Sequence, residues 1–317
     1  MATAPHTVII EQNDARIVCY ESDAKARATA NTWQVVLSIA FFVFCAYYCY
    51  EAITTKGFGY EAVRAYNPGI IYCSISGFGR TGPYADRGGF DLVAQAMSGI
   101  MSITGTSRDE PPVKCGPPLT DITAGLLAAM GILAALNHRH RTGEGQLVDT
   151  SLLEAGIIQT YWQSAMTLAS GESPGPLGSA HPLNAPYQAF QTADGWIVVG
   201  GANQRAWQRL LEALEAPELG EDPRFVDNRA RMRHLSELEA ALSERFRRHP
   251  AQYWLDKFDA AGVPAGPVYD IAQMHNDPQV RARDMVVEVP HKTLGQVATI
   301  GLPVKFSATP GGPRSAA

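Results

Sequence analysis

After residue 57 the apolar positions follow two different spacings, which predicts a mixture of strands and helices. Continuous apolar runs such as Ile70–Ser76 and "GWIVVGG" are typical of buried strands. In Thr120–Arg141 the apolar residues recur at helical spacing, and Thr120 is the expected N-cap of that helix, with Gly143 beyond its basic end. The mixture predicts an α/β first domain followed by a smaller α+β domain.

Shorter elements lie between these runs. Leu168–Ala185 is rich in Gly, Ser and Pro, which favours a mobile loop or a domain junction. These changes in composition and hydrophobic pattern divide the sequence into four segments: a divergent segment 1–57, a large α/β domain 58–185, a small α+β domain 186–305 and a C-terminal tail 306–317. The other predicted helices and strands include the helix Gly59–Gly69, the helix Phe90–Met101, the strand "GQLVDTS", the helix "LLEAGIIQTYWQ", the strand "PYQAF", the helices "NQRAWQRLLEALE" and "LSELEAALSERFRR", and short C-terminal strands.

The divergent segment contains Trp33–Tyr50, a run of 18 residues without a charge. That length reaches the lower limit for a membrane-spanning helix, which needs roughly 20 residues. A helix buried between domains is the alternative for residues 33–50. The five cysteines form no CxxC pair, which favours reduced thiols and a cytoplasmic location. Membrane association through 33–50 is the alternative location.

Composition narrows the classes of function. The 317 residues are 46% hydrophobic and carry a formal net charge of −5, so no overall positive field is available to attract nucleic acid. The basic cluster His138–Arg141 closes the long predicted helix, where cations interact favourably with the helix dipole. The cysteines and histidines form no cluster with the spacing of metal ligands, so no metal site is predicted.

The glycines Gly77, Gly79 and Gly82 follow the first strand with the spacing of a dinucleotide-binding fingerprint. In that fingerprint the third glycine lies in the first turn of a helix, and an acidic residue follows about 20 residues later. Here Gly82 precedes Pro83 and a second group of helix-breaking residues, and position 97 is a methionine. We therefore predict that these glycines shape a loop and hold no dinucleotide.

Four runs of the sequence can be compared with known families: "GYEAVRAYNPGIIYCSISGFGRTGPYADRGGFDLVAQAMSGIMSITG", "PLTDITAGLLAAMGILAALNHRHRTGEGQLVDTSLLEA", "HPLNAPYQAFQTADGWIVV" and "AGVPAGPVYDIAQMHNDPQV". In their order and spacing these runs resemble the family III CoA-transferases of the CaiB/BaiF type. The resemblance extends from Gly57 to about Pro310 and looks most like enzymes of the succinate–glutarate or hydroxymethylglutarate type. It implies an incomplete Rossmann-like large domain and a smaller α+β domain.

The resemblance implies an enzyme in which a carboxylate attacks an acyl-CoA and passes through an anhydride and an enzyme-bound thioester. Members carry the nucleophilic aspartate at the start of the helix that follows the "GQ-V" strand, and Glu154 stands there in this sequence. Asp149 is the alternative nucleophile. Each has a structural alternative: Ser151 and Glu154 have the spacing of a capping box, and Asp149, in a strand, would face solvent or a backbone donor.

The segment Arg87–Asp91 is similar to the part of the family that contacts CoA. Gly88 and Gly89 would let the backbone approach the ligand, and Asp91 would orient the thioester or, alternatively, begin its own helix. Related acyl-CoA racemases have histidine where this chain has Phe90, so racemisation by that route is disfavoured. Lys56 is a further candidate for CoA binding, beside Thr55, which stands where the family has an arginine.

The loop Gly178, Ser179, Ala180 and His181 aligns with a mobile active-site loop of the family, and His181 is equally a candidate turn residue. The implied ligands are an acyl-CoA and a small carboxylic acid, with a dicarboxylic acid as the narrower alternative. CoA is then a substrate, and no permanently bound cofactor is expected. The implied partner is a second copy of the chain in a homodimer. An inactive or membrane-tethered relative, and a CoA-ester isomerase, are the alternative functions.

Overall fold

The computed structural model describes residues 7–12, 15–20, 58–201 and 203–316. The chain divides into two compact units, Met1–Gly178 and Ser179–Ala317. The apolar run 33–50 and Lys56 lie outside the described residues, so their predicted roles stay predictions.

The first unit contains a sheet whose described strands lie in the order β2-β1-β3-β4. Strands β1, β3 and β4 are parallel, and β2 pairs with β1 in the antiparallel sense. Two of these strands lie in the N-terminal segment, where the sequence pattern predicted no strand. The elements of this unit are β1 (Thr7–Gln12), β2 (Ala15–Tyr20), α1 (Tyr60–Tyr66), β3 (Ile71–Ser76), α2 (Asp91–Met97), α3 (Ile100–Ile103), α4 (Leu119–Thr142), β4 (Leu147–Ser151), α5 (Leu152–Gln159) and α6 (Tyr161–Ser170).

The core of the first unit forms between β3 and the helices α4 and α5. Cys73 and Ile75 project from β3 into a cluster with Ala124 of α4 and Leu152 of α5, and all four are buried. Small residues on α4 allow it to approach the sheet closely: a Cβ at Gly131 would lie 2.5 Å from Val148 Cγ1 of β4. By length and composition α4 could also cross a membrane, but its buried Ala124 and Ala128 belong to this core.

Three predicted helix boundaries were wrong. The predicted helix Phe90–Met101 is interrupted at Gly99, whose φ of 90° a helix does not accommodate, so α2 and α3 are separate. The run "LLEAGIIQTYWQ" divides at Thr160 into α5 and α6. Helix α4 begins at Leu119 after Pro118, so Thr120, the predicted N-cap, lies inside the first turn. The backbone N–H of Thr120 is satisfied there by Asp91 Oδ1.

The second unit has its own core. Strands β5, β6 and β7 form an antiparallel sheet in that order, and β8 and β9 form a separate hairpin. Trp207, Phe246 and Phe258 are fully buried in one cluster with Phe190 and Ile197 of the sheet. The elements of this unit are β5 (Tyr187–Gln191), β6 (Trp196–Gly200), α7 (Gln204–Leu214), α8 (Pro217–Glu221), α9 (Asn228–Arg233), α10 (Leu235–Phe246), α11 (Ala251–Ala261), β7 (Ala265–Pro267), α12 (Ile271–Asn276), α13 (Pro278–Ala282), β8 (Val286–His291) and β9 (Gly295–Ile300).

Candidate functional site

The loop that follows β3 crosses itself at two glycines. The backbones of Gly77 and Gly89 are in contact, and a Cβ at Gly89 would lie 2.7 Å from the Cα of Gly77. Gly79 and Gly82 have φ values of 93° and 90°, in the region that favours glycine. The glycines are therefore required by the path of the loop.

This geometry confirms that the glycine spacing is no dinucleotide fingerprint. The next helix, α2, begins at Asp91, nine residues after Gly82, so Gly82 does not lie in a helical turn. A pyrophosphate site of the Rossmann type needs the helix N-terminus at the third glycine. The loop instead brings Phe90 and Asp91 back to the end of β3 through the contact of Gly77 with Gly89.

The same loop holds the start of α5. The backbone N–H of Leu153 donates to the carbonyl oxygen of Gly77 at 3.1 Å. Ser151 is the last residue of β4, where it pairs with Ser76 of β3, and it is also the N-cap of α5. The head of α5 is thus fixed by both the sheet and the glycine loop, at the carboxyl edge of two parallel strands. Ligands of open α/β sheets commonly bind at that edge.

Glu154 lies in the first turn of α5, and its side chain is exposed. The Ser151 hydroxyl accepts a hydrogen bond from the Glu154 backbone N–H at 3.1 Å and donates one to Glu154 Oε2 at 2.8 Å. Glu154 Oε1 accepts no hydrogen bond from any residue that the structure describes. The head of α5 therefore presents one uncommitted carboxylate oxygen.

The predicted capping box is only half present. Ser151 caps the helix, but the Glu154 carboxylate binds the Ser151 hydroxyl and does not return to the Ser151 backbone N–H. The reason is that the Ser151 backbone belongs to the ladder between β3 and β4. By contrast, Asp270 and Gln273 form a complete capping box at α12. The purely structural interpretation of Glu154 is correspondingly weaker.

Asp149, the alternative nucleophile, lies on β4 opposite Ser74 of β3. Its Oδ2 accepts a hydrogen bond from the Arg80 backbone N–H at 3.4 Å. Burial raises the pKa of Asp149, and the charge of Glu154 raises it further, against the lowering effect of Arg80. Asp149 Oδ2 is thus engaged by the Arg80 backbone, whereas Glu154 Oε1 accepts no hydrogen bond among the described residues, so the geometry favours Glu154.

Sequence reasoning did not single out Arg80. Its guanidinium lies 6.0 Å from the centre of the Tyr72 ring, and its Nη1 is 3.5 Å from Ser74 Oγ. The available signal was its place in the glycine loop directly after a buried strand, because the loops at that edge of a parallel sheet gather around ligands. Arg80 supplies positive charge beside Asp149, on the edge of the sheet that carries Glu154.

Asp91 occupies the first turn of α2 and is bonded through both carboxylate oxygens. Oδ1 accepts from the Thr120 backbone N–H at 2.9 Å and from the Thr120 hydroxyl at 2.8 Å. Oδ2 accepts from Nε2 of the fully buried Gln95 at 2.7 Å. Asp91 therefore caps α4 from a neighbouring helix. Its predicted role toward a thioester stays a prediction.

The other predicted CoA-contacting residues lie on the same loop. Gly88 is exposed and a Cβ there would meet nothing within 4 Å, whereas Gly89 is buried at the crossing with Gly77. Phe90 precedes α2 and keeps 57% of its surface exposed. Gly88 and Phe90 are therefore open to a ligand, and Gly89 serves the fold.

The predicted active-site loop is divided between the two units. Gly178 ends the first unit, and its backbone N–H donates to the Gly105 carbonyl at 2.8 Å. Ser179, Ala180 and His181 begin the second unit. His181 Nδ1 accepts from the Leu183 backbone N–H at 3.0 Å, as in a turn, so the alternative prediction for His181 has direct structural support. Among the described residues no group of three or more His, Cys, Asp and Glu side chains could hold a metal ion.

Comparison with known proteins gives a consistent result. Residues 43–317 match the model of CoA-transferase family III. The chain is 37% identical to human succinyl-CoA:glutarate CoA-transferase, over 84% of this chain and 60% of that protein. It is 40% identical to acetyl-CoA:oxalate CoA-transferase of Acetobacter aceti, over 79% of this chain and 63% of that protein.

A crystal structure of a CaiB/BaiF family protein from Brucella suis is similar with a TM-score of 0.70 and 37% identity, over 84% of this chain and 70% of that one. The chain spans about three-fifths of the length of these two curated relatives. The family model covers most of the chain, and the mixed α/β fold agrees with the structural neighbour. The chain belongs to CoA-transferase family III.

Proposed function

We propose that this protein transfers CoA from an acyl-CoA to a small carboxylic acid, with Glu154 as the nucleophile. The observation that carries the proposal is the exposed Glu154 carboxylate at the carboxyl edge of β3 and β4, whose Oε1 has no hydrogen-bond partner in the described part of the chain. The family membership supports the reaction class, since the similar curated proteins are named as CoA-transferases.

The reaction proceeds through two covalent forms of Glu154. Oε1 attacks the thioester carbonyl carbon, an O–C bond forms, the C–S bond breaks and CoA leaves as the thiolate. The thiolate then attacks Cδ of Glu154, which forms a Cδ–S bond and expels the donor acid with Oε1. The acceptor carboxylate reverses both steps and restores the Glu154 carboxylate. Each step exchanges one acyl bond for another, and division into such steps is the advantage of covalent catalysis.

We further propose a small dicarboxylic acid as the acceptor. Glutarate and oxalate occur in the names of the two similar curated proteins. The positive charge of Arg80 beside the edge of the sheet suits a ligand that carries a second carboxylate. A transfer assay with mono- and dicarboxylic acids of two to five carbons tests this assignment, and faster transfer to monocarboxylic acids would contradict it.

Mass spectrometry tests the role of Glu154. After incubation with an acyl-CoA, tryptic peptides should carry CoA on Glu154, and hydroxylamine should convert that group to a hydroxamate. Glu154→Gln should lose the adduct and slow transfer by at least about 1,000-fold, because the nucleophile is absent. Glu154→Asp is the matched control, since it keeps the carboxylate, and it should retain a measurable adduct.

Two outcomes would contradict the proposal. A chain that transfers CoA while Glu154 stays unmodified would place the nucleophile elsewhere, with Asp149 as the next candidate. A folded chain that neither binds CoA nor forms an adduct would favour the alternative of an inactive CoA-transferase-like protein.

A further inference from the structure

The Ser151 hydroxyl touches one of the two oxygens of the proposed nucleophile. Its hydrogen bond to Glu154 Oε2 is 2.8 Å long, within the ordinary range for two oxygens. The same hydroxyl oxygen accepts from the Glu154 backbone N–H at 3.1 Å, so the hydroxyl proton is directed away from the backbone and toward the carboxylate. Glu154 is thus held by one residue at two points.

Ser151 is itself rigidly placed. It is 0% exposed, pairs with Ser76 in the ladder between β3 and β4, and has extended backbone angles of φ −139° and ψ 161°. Catalytic groups are positioned most accurately when a regular element and close packing hold their supporting residues. A buried hydroxyl at the end of a strand meets both conditions, whereas the Glu154 side chain is long and exposed.

The contact has a chemical consequence that depends on which oxygen is bound. When CoA thiolate or the acceptor acid attacks Cδ of Glu154, the electron pair of the carbonyl moves onto the oxygen that does not leave. With Oε1 as the attacking and leaving oxygen, the negative charge develops on Oε2. A donor already directed at that oxygen stabilises the tetrahedral species without reorganisation.

We infer that Ser151 is a catalytic residue, whose hydroxyl donates to Glu154 Oε2 and stabilises the oxyanion that forms there when Cδ is attacked. The inference rests on the proposed function. Ser151 keeps its proton throughout: no bond to it forms or breaks, and the charge returns to the leaving group when the tetrahedral species collapses. The same bond restrains the glutamate side chain, which is one methylene longer than the aspartate of the family.

The test compares wild type with Ser151→Gly in a rapid-quench experiment that follows CoA attachment to Glu154. Glycine is tolerated at N-caps, so the start of α5 should persist while the hydroxyl is lost. The rate of adduct formation should fall about 100-fold, as for loss of one oxyanion donor. The KM for the acyl-CoA should stay within about threefold, because the hydroxyl acts on the transition state.

Two variants separate this role from capping. Ser151→Thr keeps the hydroxyl and should recover the rate to within about tenfold of wild type. Asn203→Gly removes the matched cap bond of α7, from Ala206 N to Asn203 Oδ1 at 2.9 Å, and should leave the rate unchanged. If Ser151→Gly does not fold, Ser151→Cys replaces it, because the cysteine side chain has a similar size and is only a weak donor. Its rate of adduct formation is then compared with that of wild type in the same way.

The outcomes distinguish the two proposals. If wild type forms no adduct at Glu154, the proposed function fails and the role of Ser151 with it. If wild type forms the adduct and the Ser151 variant forms it as fast as Asn203→Gly does, only the inference about Ser151 is overturned. A fall in rate that threonine restores supports both.

Discussion

Helices α2 and α5 both carry an acidic residue in the first turn, but the two carboxylates differ in how many hydrogen bonds they accept. Each helix follows an extended residue and carries an acid in its first turn, Asp91 in α2 and Glu154 in α5. Among the described residues, the Asp91 carboxylate accepts three hydrogen bonds from α2 and α4, and the Glu154 carboxylate accepts one, from Ser151. Both oxygens of the Asp91 carboxylate are hydrogen-bonded, whereas Glu154 Oε1 has no hydrogen-bond partner among the described residues.

The difference arises from what lies opposite each helix head. Helix α4 begins after Pro118, which offers no side chain to its first backbone N–H groups, and Asp91 satisfies one of them. Helix α5 is capped by its own Ser151 and anchored through Leu153 to Gly77, so Glu154 is not needed for that purpose. The Glu154 carboxylate therefore keeps an oxygen without a partner among the described residues because Ser151 already caps its helix, whereas Asp91 supplies the cap that Pro118 lacks.

The largest structural effect is expected from Asp91→Ala. The change leaves the buried donors of Gln95 and Thr120 without their acceptor and should lower the free energy of unfolding by about 3 kcal/mol. Equilibrium urea denaturation measures the change. Asp91→Asn is the matched control, because its amide oxygen can still accept from Thr120, and it should cost less. An unaltered urea midpoint for Asp91→Ala would contradict the structural role.

The second prediction concerns the backbone contact between Gly77 and Gly89, which lies next to the starts of both α2 and α5. A Cβ at Gly89 would lie 2.7 Å from the backbone of Gly77, so Gly89→Ala should destabilise the protein by about 2 kcal/mol through overpacking. Gly88→Ala is the matched control, since a Cβ there meets nothing within 4 Å, and the free energy of unfolding should change by less than about 0.5 kcal/mol.

The variants at Gly88 and Gly89 also separate an effect on ligand binding from an effect on stability. If the loop approaches CoA as predicted, Gly88→Ala should raise the KM for the acyl-CoA without lowering the melting temperature. Gly89→Ala should lower the melting temperature. Equal loss of stability in both variants would show that the crossing does not distinguish the two glycines.

The smallest effect concerns Asp121, the neighbour of Thr120 in α4. Burial, with a smaller contribution from the charge of Asp91, raises the pKa of Asp121 from 3.8 to about 6, and its Oδ1 is buried without a partner among the described residues. Because the folded state binds this proton more tightly than the unfolded state, stability is favoured at low pH. That advantage is lost as the pH rises from about 4 through about 6.

Asp121→Asn removes the titration and should therefore stabilise the protein at pH 8 by about 1–2 kcal/mol relative to wild type. The difference should disappear near pH 4, where the wild-type carboxyl is also neutral. Thermal unfolding of both proteins across this pH range checks the sign. A variant that is less stable than wild type at pH 8 would contradict the assignment.

Several features could be predicted from local sequence because neighbouring residues decide them. Continuous apolar runs and helical spacing predicted β3, α4 and β4 to within a residue or two, and Pro83 with the helix-breaking residues after it excluded a dinucleotide loop. The breaks at Gly99 and Thr160 were not predicted, since single residues of that kind also occur inside helices.

The sequence alone determined the two kinds of domain, the family and the position of Glu154 at a helix head, because these depend on motifs and on local periodicity. Only the tertiary structure decided which acid is free. Asp91 and Thr120 are 29 residues apart, Arg80 and Asp149 are 69 apart, and the Gly77–Gly89 contact closes a loop. Hydrogen bonds and steric contacts depend on distance in space, which local patterning does not encode.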